Sequence, residues 1–197
     1  MAISKIKSAS IATDAVGPTQ LNEASNYDFT GTITGAGGIT EADQWCLSSG
    51  FAPGSEAETF VNSGWARNIT SQFEKIGTGM TESSGTFTFP STGIYLIKLK
   101  LMLSADYSNQ RLMRGFLFIT TDNGTYDKVC YGMTSASGAL VSNQAYCTSA
   151  SDYMFDVTNT STHKVRIYSS ATVSGLTVRS DGADIASHVT FIRLGDT

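Results

Sequence analysis

Alternating apolar and polar side chains run through most of the chain. In the segment GTFTFPSTGIYLIKLKLML, Phe87 and Phe89 share one face, and every second residue over 95–103 is aromatic or aliphatic. This alternation is typical of β-strands with one face in a core. The opposite face of residues 93–103 begins with the apolar Ile94 and Leu96 and then becomes basic. Because a strand covered on one side only is polar on its other face, we expect another layer or another subunit to cover that end.

Short β-type stretches separated by turn signals follow one another over residues 39–197, and no helical period extends beyond about two turns. The segment Asp122-Asn123-Gly124 is typical of a hairpin turn, since Asn and Gly adopt positive φ angles readily. This spacing predicts an antiparallel sandwich or barrel. Strands are predicted over residues 44–47, 73–76, 79–80 leading into 85–89, 93–103, 115–121, 126–133, 144–146, 153–157, 164–169, 176–179 and 188–194.

The first 38 residues have a different pattern, in which single aliphatic side chains lie among Ser, Ala, Thr and Asn. These side chains are too sparse to bury one face of a helix or strand within a single chain. Because they nevertheless recur, we expect copies of the segment to meet around a symmetry axis, with a disordered tail as the alternative. The chain thus divides into an anchoring or stalk segment over residues 1–38 and a folded domain over residues 39–197. The proposed anchoring residues are Ile3, Ile6, Ile11, Val16 and Leu21.

Composition limits the partners of the protein. Charged residues are 15% of the 197, the formal net charge is −4, and no basic cluster is present, so binding to a nucleic acid backbone is not expected. No apolar run approaches the roughly 18 to 20 residues of a membrane helix. The first residues, MAISKIKSASIATDAV, lack the apolar stretch of a secretory signal. We therefore expect neither membrane insertion nor export by a signal peptide.

Reactive side chains form no recognisable catalytic or metal-binding pattern. Cys46, Cys130 and Cys147 are an odd number without a Cys-x-x-Cys pair, and neither His163 nor His188 lies at ligand spacing from them. The cysteines are interpreted as ordinary thiols, with a disulfide between Cys130 and Cys147 as an alternative if their strands are neighbours. The sequence contains no nucleophile elbow, phosphate-binding loop or HExxH motif. No catalytic residue is assigned, and we do not expect an enzyme.

Aromatic side chains near strand ends are the best candidates for ligand contact. Tyr126 and Tyr131 lie close to predicted loops, which is where recognition is usually built. Trp65 is a further candidate, as a platform on which a sugar ring stacks. Core or interface packing is nevertheless the more common role of such a tryptophan.

The segment around Gly93 carries a recognisable signature. Phe87 precedes Gly93 by five intervening residues, and Tyr95, Ile97 and Leu99 follow at alternate positions. This resembles the jelly-roll domains of complement component q and tumour necrosis factor, in which an aromatic residue precedes a Gly-x-Tyr-x-Phe strand of the trimer core. Ile97 replaces the usual Phe. The resemblance implies an all-β, antiparallel, trimeric jelly roll, with a signature and trimer-core set of Phe87, Phe89, Gly93, Tyr95, Ile97 and Leu99, and with Phe73 as the upstream aromatic.

Two other segments resemble proteins of tailed bacteriophages. SIATDAVGPTQL, followed by YDFTG at residues 27–31, is similar to repeats of phage head and tail fibres, and VTFIRLGDT is similar to the closing strand of phage jelly rolls. The resemblance implies a short homotrimeric fibre or spike of the virion, made in the bacterial cytoplasm. Its N-terminus would attach to other virion proteins and its knob would adhere to a host-surface glycan or protein.

The same resemblance leaves other functions open. The first alternative is a purely structural decoration or adaptor protein without a receptor, and a more distant one is a glycan depolymerase. Calcium held by acidic loops near the trimer apex is a further option without assigned ligands. No other cofactor is expected.

Overall fold

Two antiparallel sheets form the compact unit over Ile39–Thr197. In this computed structural model the described residues are 38–54, 56–67, 74–105, 110–136, 145–172, 175–180 and 185–197. The predictions made for Ile3, Ile6, Ile11, Val16, Leu21 and Phe73 lie outside these ranges.

Every regular element within the described residues is a β-strand. The bounds of the strands agree with the predicted stretches along most of the domain. They are β1 (Ala42–Leu47), β2 (Thr59–Phe60), β3 (Trp65–Arg67), β4 (Lys75–Ile76), β5 (Thr81–Ser83), β6 (Thr86–Thr88), β7 (Gly93–Ala105), β8 (Gln110–Thr120), β9 (Asp127–Ala136), β10 (Ala145–Val157), β11 (Lys164–Ala171), β12 (Leu176–Val178) and β13 (His188–Gly195).

The strands are divided between two sheets in a jelly-roll order. The first sheet has the order β10-β7-β13-β1-β3, with β12 also paired to β7 and β4 also paired to β1. The second has the order β5-β6-β11-β8-β9, with β2 also paired to β11. Sequence neighbours such as β6 and β7, or β9 and β10, lie in different sheets, so the chain crosses repeatedly between the two layers. The predicted all-β, antiparallel jelly-roll sandwich is confirmed.

An aromatic cluster fills the space between the sheets. The ring of Phe87 meets Trp45 and Trp65 edge-on, with centroids 5.7 and 5.5 Å away. Phe191 of the last strand lies 5.3 Å from Phe87. The signature residues pack inside a single chain, because each of their large side chains is at most 2% exposed: Phe87, Phe89, Tyr95, Ile97 and Leu99. The side chains that β7 leaves outside the core are therefore those of its other face.

Gly93 allows the last strand to end against the start of β7. Its φ angle is 140°, which disfavours other residues. A Cβ at this position would lie 2.5 Å from Nε of Arg193 and 2.6 Å from the carbonyl oxygen of Gly195. Arg193 Nε donates to the carbonyl oxygen of Thr92 at 2.8 Å. The glycine of the signature thus permits a close contact between β7 and the end of β13.

The three cysteines are free, so the disulfide alternative for Cys130 and Cys147 is wrong. Cys130 pairs with Leu117 in the second sheet, whereas Cys147 pairs with Leu103 in the first sheet. The two residues are therefore in different layers. Burial raises the pKa of both thiols, which keeps them protonated and unreactive at neutral pH.

A buried carboxylate fastens β1 to β3 and to the turn before β5. Asp43 is 1% exposed, and its oxygens accept from Nε and Nη2 of Arg67, both at 3.0 Å. Oδ2 also accepts from Trp45 Nε1 at 3.0 Å and from the Met80 amide at 2.8 Å. The hydrogen bond with Asp43 raises the pKa of Arg67, so the guanidinium group stays charged. Removing the carboxylate would leave two buried N–H donors without an acceptor.

We expect Asp43→Ala to lower the free energy of unfolding by about 3 kcal/mol. The substitution breaks a buried ion pair and leaves the two buried N–H donors without an acceptor. The matched control is Glu58→Ala, which removes the surface ion pair between Glu58 and Lys128 and should cost less than about 1 kcal/mol. Urea unfolding at one protein concentration measures both. Equal losses for the two variants would show that the Asp43 network does not stabilise the fold.

Candidate functional site

The outer face of the first sheet carries one continuous row of apolar side chains. Cross-strand pairing places its members side by side on β4, β1, β13, β7 and β10, in the order Ile76, Ala42, Ile192, Leu96 and Met154. The two ends of this apolar row are the most open, with Met154 64% and Ile76 41% exposed. Among the described residues, no further layer covers the two open ends of the row.

Polar pairs lie beside the apolar row. In the adjacent row, Gln44 Nε2 donates to Thr190 Oγ1 at 3.0 Å. Lys98 Nζ lies 3.3 Å from Asp152 Oδ2. An apolar centre with a polar border is typical of a protein–protein interface. The outer face of the first sheet thus has the composition of a subunit contact.

The outer face of the second sheet carries a row of aromatic side chains. Phe60, Tyr168, Phe116 and Tyr131 are paired in this order across β2, β11, β8 and β9. Ring centroids are 5.1 Å apart for Phe60 and Tyr168, and 5.8 Å apart for Phe116 and Tyr131. Phe118 lies 4.2 Å from Tyr168, beside the aromatic row.

Cationic side chains cover this aromatic row. The guanidinium carbon of Arg114 and Nζ of Lys128 lie 5.7 and 5.2 Å from the centroid of Phe116. Phe116 is consequently only 1% exposed although it lies on an outer face. Cations over ring faces are attracted by the ring quadrupole. The face therefore combines hydrophobic surface with positive charge.

Arg166 extends this arrangement to Tyr126. Its guanidinium carbon lies 3.8 Å from the Tyr126 centroid and 4.9 Å from that of Phe60. Burial raises the pKa of the Tyr126 phenol, and the charge of Arg166 acts in the opposite direction. Tyr126 is therefore an uncharged phenol at neutral pH, packed under a cation.

A β-bulge brings Lys128 and Tyr131 to the same face. Leu117 pairs with Cys130 and Phe118 with Lys128, which leaves Val129 as the extra residue of β9. In a regular strand, residues three apart point to opposite faces, and the bulge removes that restriction. A groove of about 350 Å³ runs along this part of β9, lined by Lys128, Val129, Cys130 and Tyr131.

The three proposed ligand residues have different surroundings. Tyr131 is 54% exposed beside the groove, and Tyr126 is half-buried under Arg166. Trp65 is 7% exposed, packs against Phe87, and donates its ring N–H to the Val61 carbonyl oxygen at 3.0 Å. Because this ring is enclosed in the core, it offers no face to a sugar in this structure.

Sequence reasoning missed most of the residues that accompany the two tyrosines. The missed residues are Phe60, Arg114, Phe116, Phe118, Lys128, Arg166 and Tyr168. A usable signal was the segment FLFI at residues 116–119, which is apolar on both faces of its strand. Such a strand must have its second face covered, here by cations and by neighbouring rings.

Both histidines are partly or fully enclosed by neighbouring residues. The ring of His163 stacks on Phe155 at 5.4 Å, and its nitrogens lie 3.0 Å from Thr162 Oγ1 and 3.2 Å from Thr158 Oγ1. Burial, and then the charge of Lys100, lowers the pKa of His188.

Within the described ranges, no three His, Cys, Asp or Glu side chains are grouped to hold a metal ion. None of the same residues forms a helix long and apolar enough to span a bilayer.

Solved structures share this fold at low sequence identity. An Eiger TNF structure from S. frugiperda has a TM-score of 0.53 and 15% identity, covering 79% of this chain and 93% of its own. Murine APRIL at pH 8.0 has a TM-score of 0.54 and 15% identity, covering 78% and 98% respectively. No protein-family model and no curated protein matches the sequence. The expected tumour-necrosis-factor-like fold is therefore confirmed, as a likeness of fold.

We expect Phe116→Ala to behave as a core substitution and Tyr131→Ala as a surface one. Phe116 is 1% and Tyr131 54% exposed, so the first change should cost about 3 kcal/mol and the second less than about 1 kcal/mol. Urea unfolding monitored by circular dichroism measures both. A loss for Tyr131→Ala as large as that for Phe116→Ala would contradict the description of Tyr131 as an exposed end of the aromatic row.

Proposed function

We propose that this chain is a homotrimeric structural protein of a bacteriophage virion, a short fibre or spike. In this proposal residues 1–38 attach it to other virion proteins. The domain over residues 39–197 is a knob that adheres to a glycan or protein of the host surface. The observation that carries the proposal is the difference between the two outer faces, one suited to self-association and the other to a ligand.

The apolar row of the first sheet supports self-association. It crosses five strands, and its ends differ, since Met154 lies on β10 and Ile76 on β4. A contact between two unlike ends is heterologous, and repeated around an axis it closes a ring. A ring of three is the number that the Phe87-to-Leu99 signature implies through its resemblance.

The aromatic row supports adhesion, because it lies on the other sheet and stays open when the first sheet is covered. Its groove is small, so one site is expected to bind weakly. Three sites in a trimer, and many trimers on a particle, raise the apparent affinity without a deep pocket. Binding by avidity needs no catalytic residue.

Light scattering of the full chain should give a mass about three times 20.9 kDa. Leu96→Glu should reduce this mass toward that of one chain, because a carboxylate in the middle of the apolar row loses its hydration in the assembly. Tyr131→Ala, on the other sheet, is the control and should remain trimeric. A full chain that is monomeric at micromolar concentration would contradict the trimer.

Adhesion is tested with fluorescently labelled full chain on cells that support growth of the virus. We expect saturable binding that unlabelled protein displaces and that Tyr131→Ala reduces at least tenfold, since loss at each of three sites is compounded by avidity. Binding of the labelled chain to virus particles but to no cells would instead support a decoration or adaptor protein. Release of reducing sugar from the cell polysaccharide would support a depolymerase.

A further inference from the structure

Positive charge is concentrated on the aromatic row of a chain whose net charge is −4. Within the described residues, neither Arg114 nor Arg166 forms an ion pair, and Lys128 pairs only with Glu58. Nε of Arg114 is buried and has no hydrogen-bond partner there. Like charges held together repel one another, and an anion between them would lower their free energy. Within the described residues, Arg114 therefore has unsatisfied capacity for a negatively charged group.

An open ring lies next to this charge. Tyr131 is paired with Phe116 across the strands, next to the pair formed by Met133 and Arg114. Tyr131 and Met133 are 54% and 57% exposed, whereas Phe116 beneath the cations is 1% exposed. The accessible part of the site is thus one aromatic ring and one thioether, with Lys128 and Arg114 on either side along the strands.

We propose that this surface binds an acidic glycan. A sugar ring packs its C–H face on Tyr131, and the carboxylate of the sugar lies toward Arg114. The C–H groups of a sugar suit the negative face of an aromatic ring. The guanidinium group of Arg114 has the planar shape that pairs with a carboxylate through two hydrogen bonds. This assignment rests on the adhesive role proposed above and names the class of its ligand.

The size of the site favours a glycan over a protein receptor. A groove of about 350 Å³ lies at the lower end of the roughly 300 to 1,000 Å³ of small-ligand sites. A stable protein partner covers about 800 Å² on each side, whereas Phe116, in the middle of the aromatic row, is only 1% exposed beneath Arg114 and Lys128. Arg166 is engaged with Tyr126 and donates to Thr86 Oγ1 at 3.0 Å, and Lys128 is paired with Glu58, so Arg114 is the cation assigned to the ligand.

The test measures binding of the full chain to immobilised alginate, polysialic acid and polygalacturonate, each beside its carboxyl-reduced, neutral form. We expect binding to at least one acidic polymer, at least tenfold weaker binding to its reduced form, and weakening with added salt. Tyr131→Ala and Arg114→Gln should each reduce binding at least tenfold, while Tyr131→Phe, which keeps the ring, should retain it. Circular dichroism and light scattering establish that each variant is folded and assembled.

Lys164→Gln is the matched control for loss of charge. Lys164 lies on the same outer face, where its Nζ contacts Thr88 Oγ1 and the Thr160 carbonyl oxygen, away from the groove residues. This variant should bind as the wild type does. Equal weakening by Lys164→Gln and Arg114→Gln, equal binding to acidic and reduced polymers, or no binding to any acidic polymer would overturn the proposal.

Cell binding separates this proposal from the adhesive function on which it rests. If Arg114→Gln still binds cells as the wild type does, and the wild type binds none of the acidic polymers, the adhesive function stands. Its ligand is then a protein or a neutral glycan. If the wild type binds acidic polymers but no cells, the glycan assignment stands and the adhesive function fails.

Discussion

Side chains along an antiparallel strand alternate between two faces, and in this chain both faces of the central strands carry large apolar residues. The core between the sheets buries only one set, which on β7 includes Tyr95, Ile97 and Leu99. The second set must be covered by something else. On the second sheet cations and neighbouring rings cover Phe116, whereas on the first sheet the described residues leave Leu96 partly exposed and Met154 64% exposed. The assignments of the two outer faces depend on this difference.

The two sheets meet closely at β9 and β10, which fixes the position of the groove along β9. Ser149 Oγ accepts from the Gly115 amide at 3.0 Å and donates to the Gly132 carbonyl oxygen at 2.9 Å. A Cβ on Gly132 would lie 2.2 Å from the Ala150 carbonyl oxygen, so the two backbones are in direct contact. This contact supports β9 from behind, just after the bulge that presents Lys128 and Tyr131. A rigid support of this kind is what a shallow binding surface needs.

The fold was predictable from the sequence because alternation is a local signal. Strand β7 was predicted over residues 93–103 and extends over Gly93–Ala105. Strand β10 was predicted as two pieces, 144–146 and 153–157, but is one strand, Ala145–Val157. The segment TSASD at residues 148–152 has few β-branched or aromatic residues, and it is held in the sheet by continuous pairing with β7.

The candidate site was less predictable, because it depends on contacts between distant segments. Nothing around Val129 signals a bulge, and regular alternation would place Lys128 and Tyr131 on opposite faces. The packing of Trp65 in the core was equally hard to predict, because its contact with Phe87 joins residues 22 positions apart. Residue type alone does not tell whether a tryptophan lies in a core or on a surface.

Solvent accessibility of two methionine methyl groups tests the central claim that the first sheet is buried in the assembly while the second stays open. Met154 and Met133 lie on opposite outer faces and are similarly exposed in the single chain, at 64% and 57%. Methyl NMR of the full chain with a soluble paramagnetic agent reports each of them. If the first sheet is buried in the assembly, relaxation enhancement should be weak for Met154 and strong for Met133. Equal enhancement of both, or a shielded Met133, would contradict it.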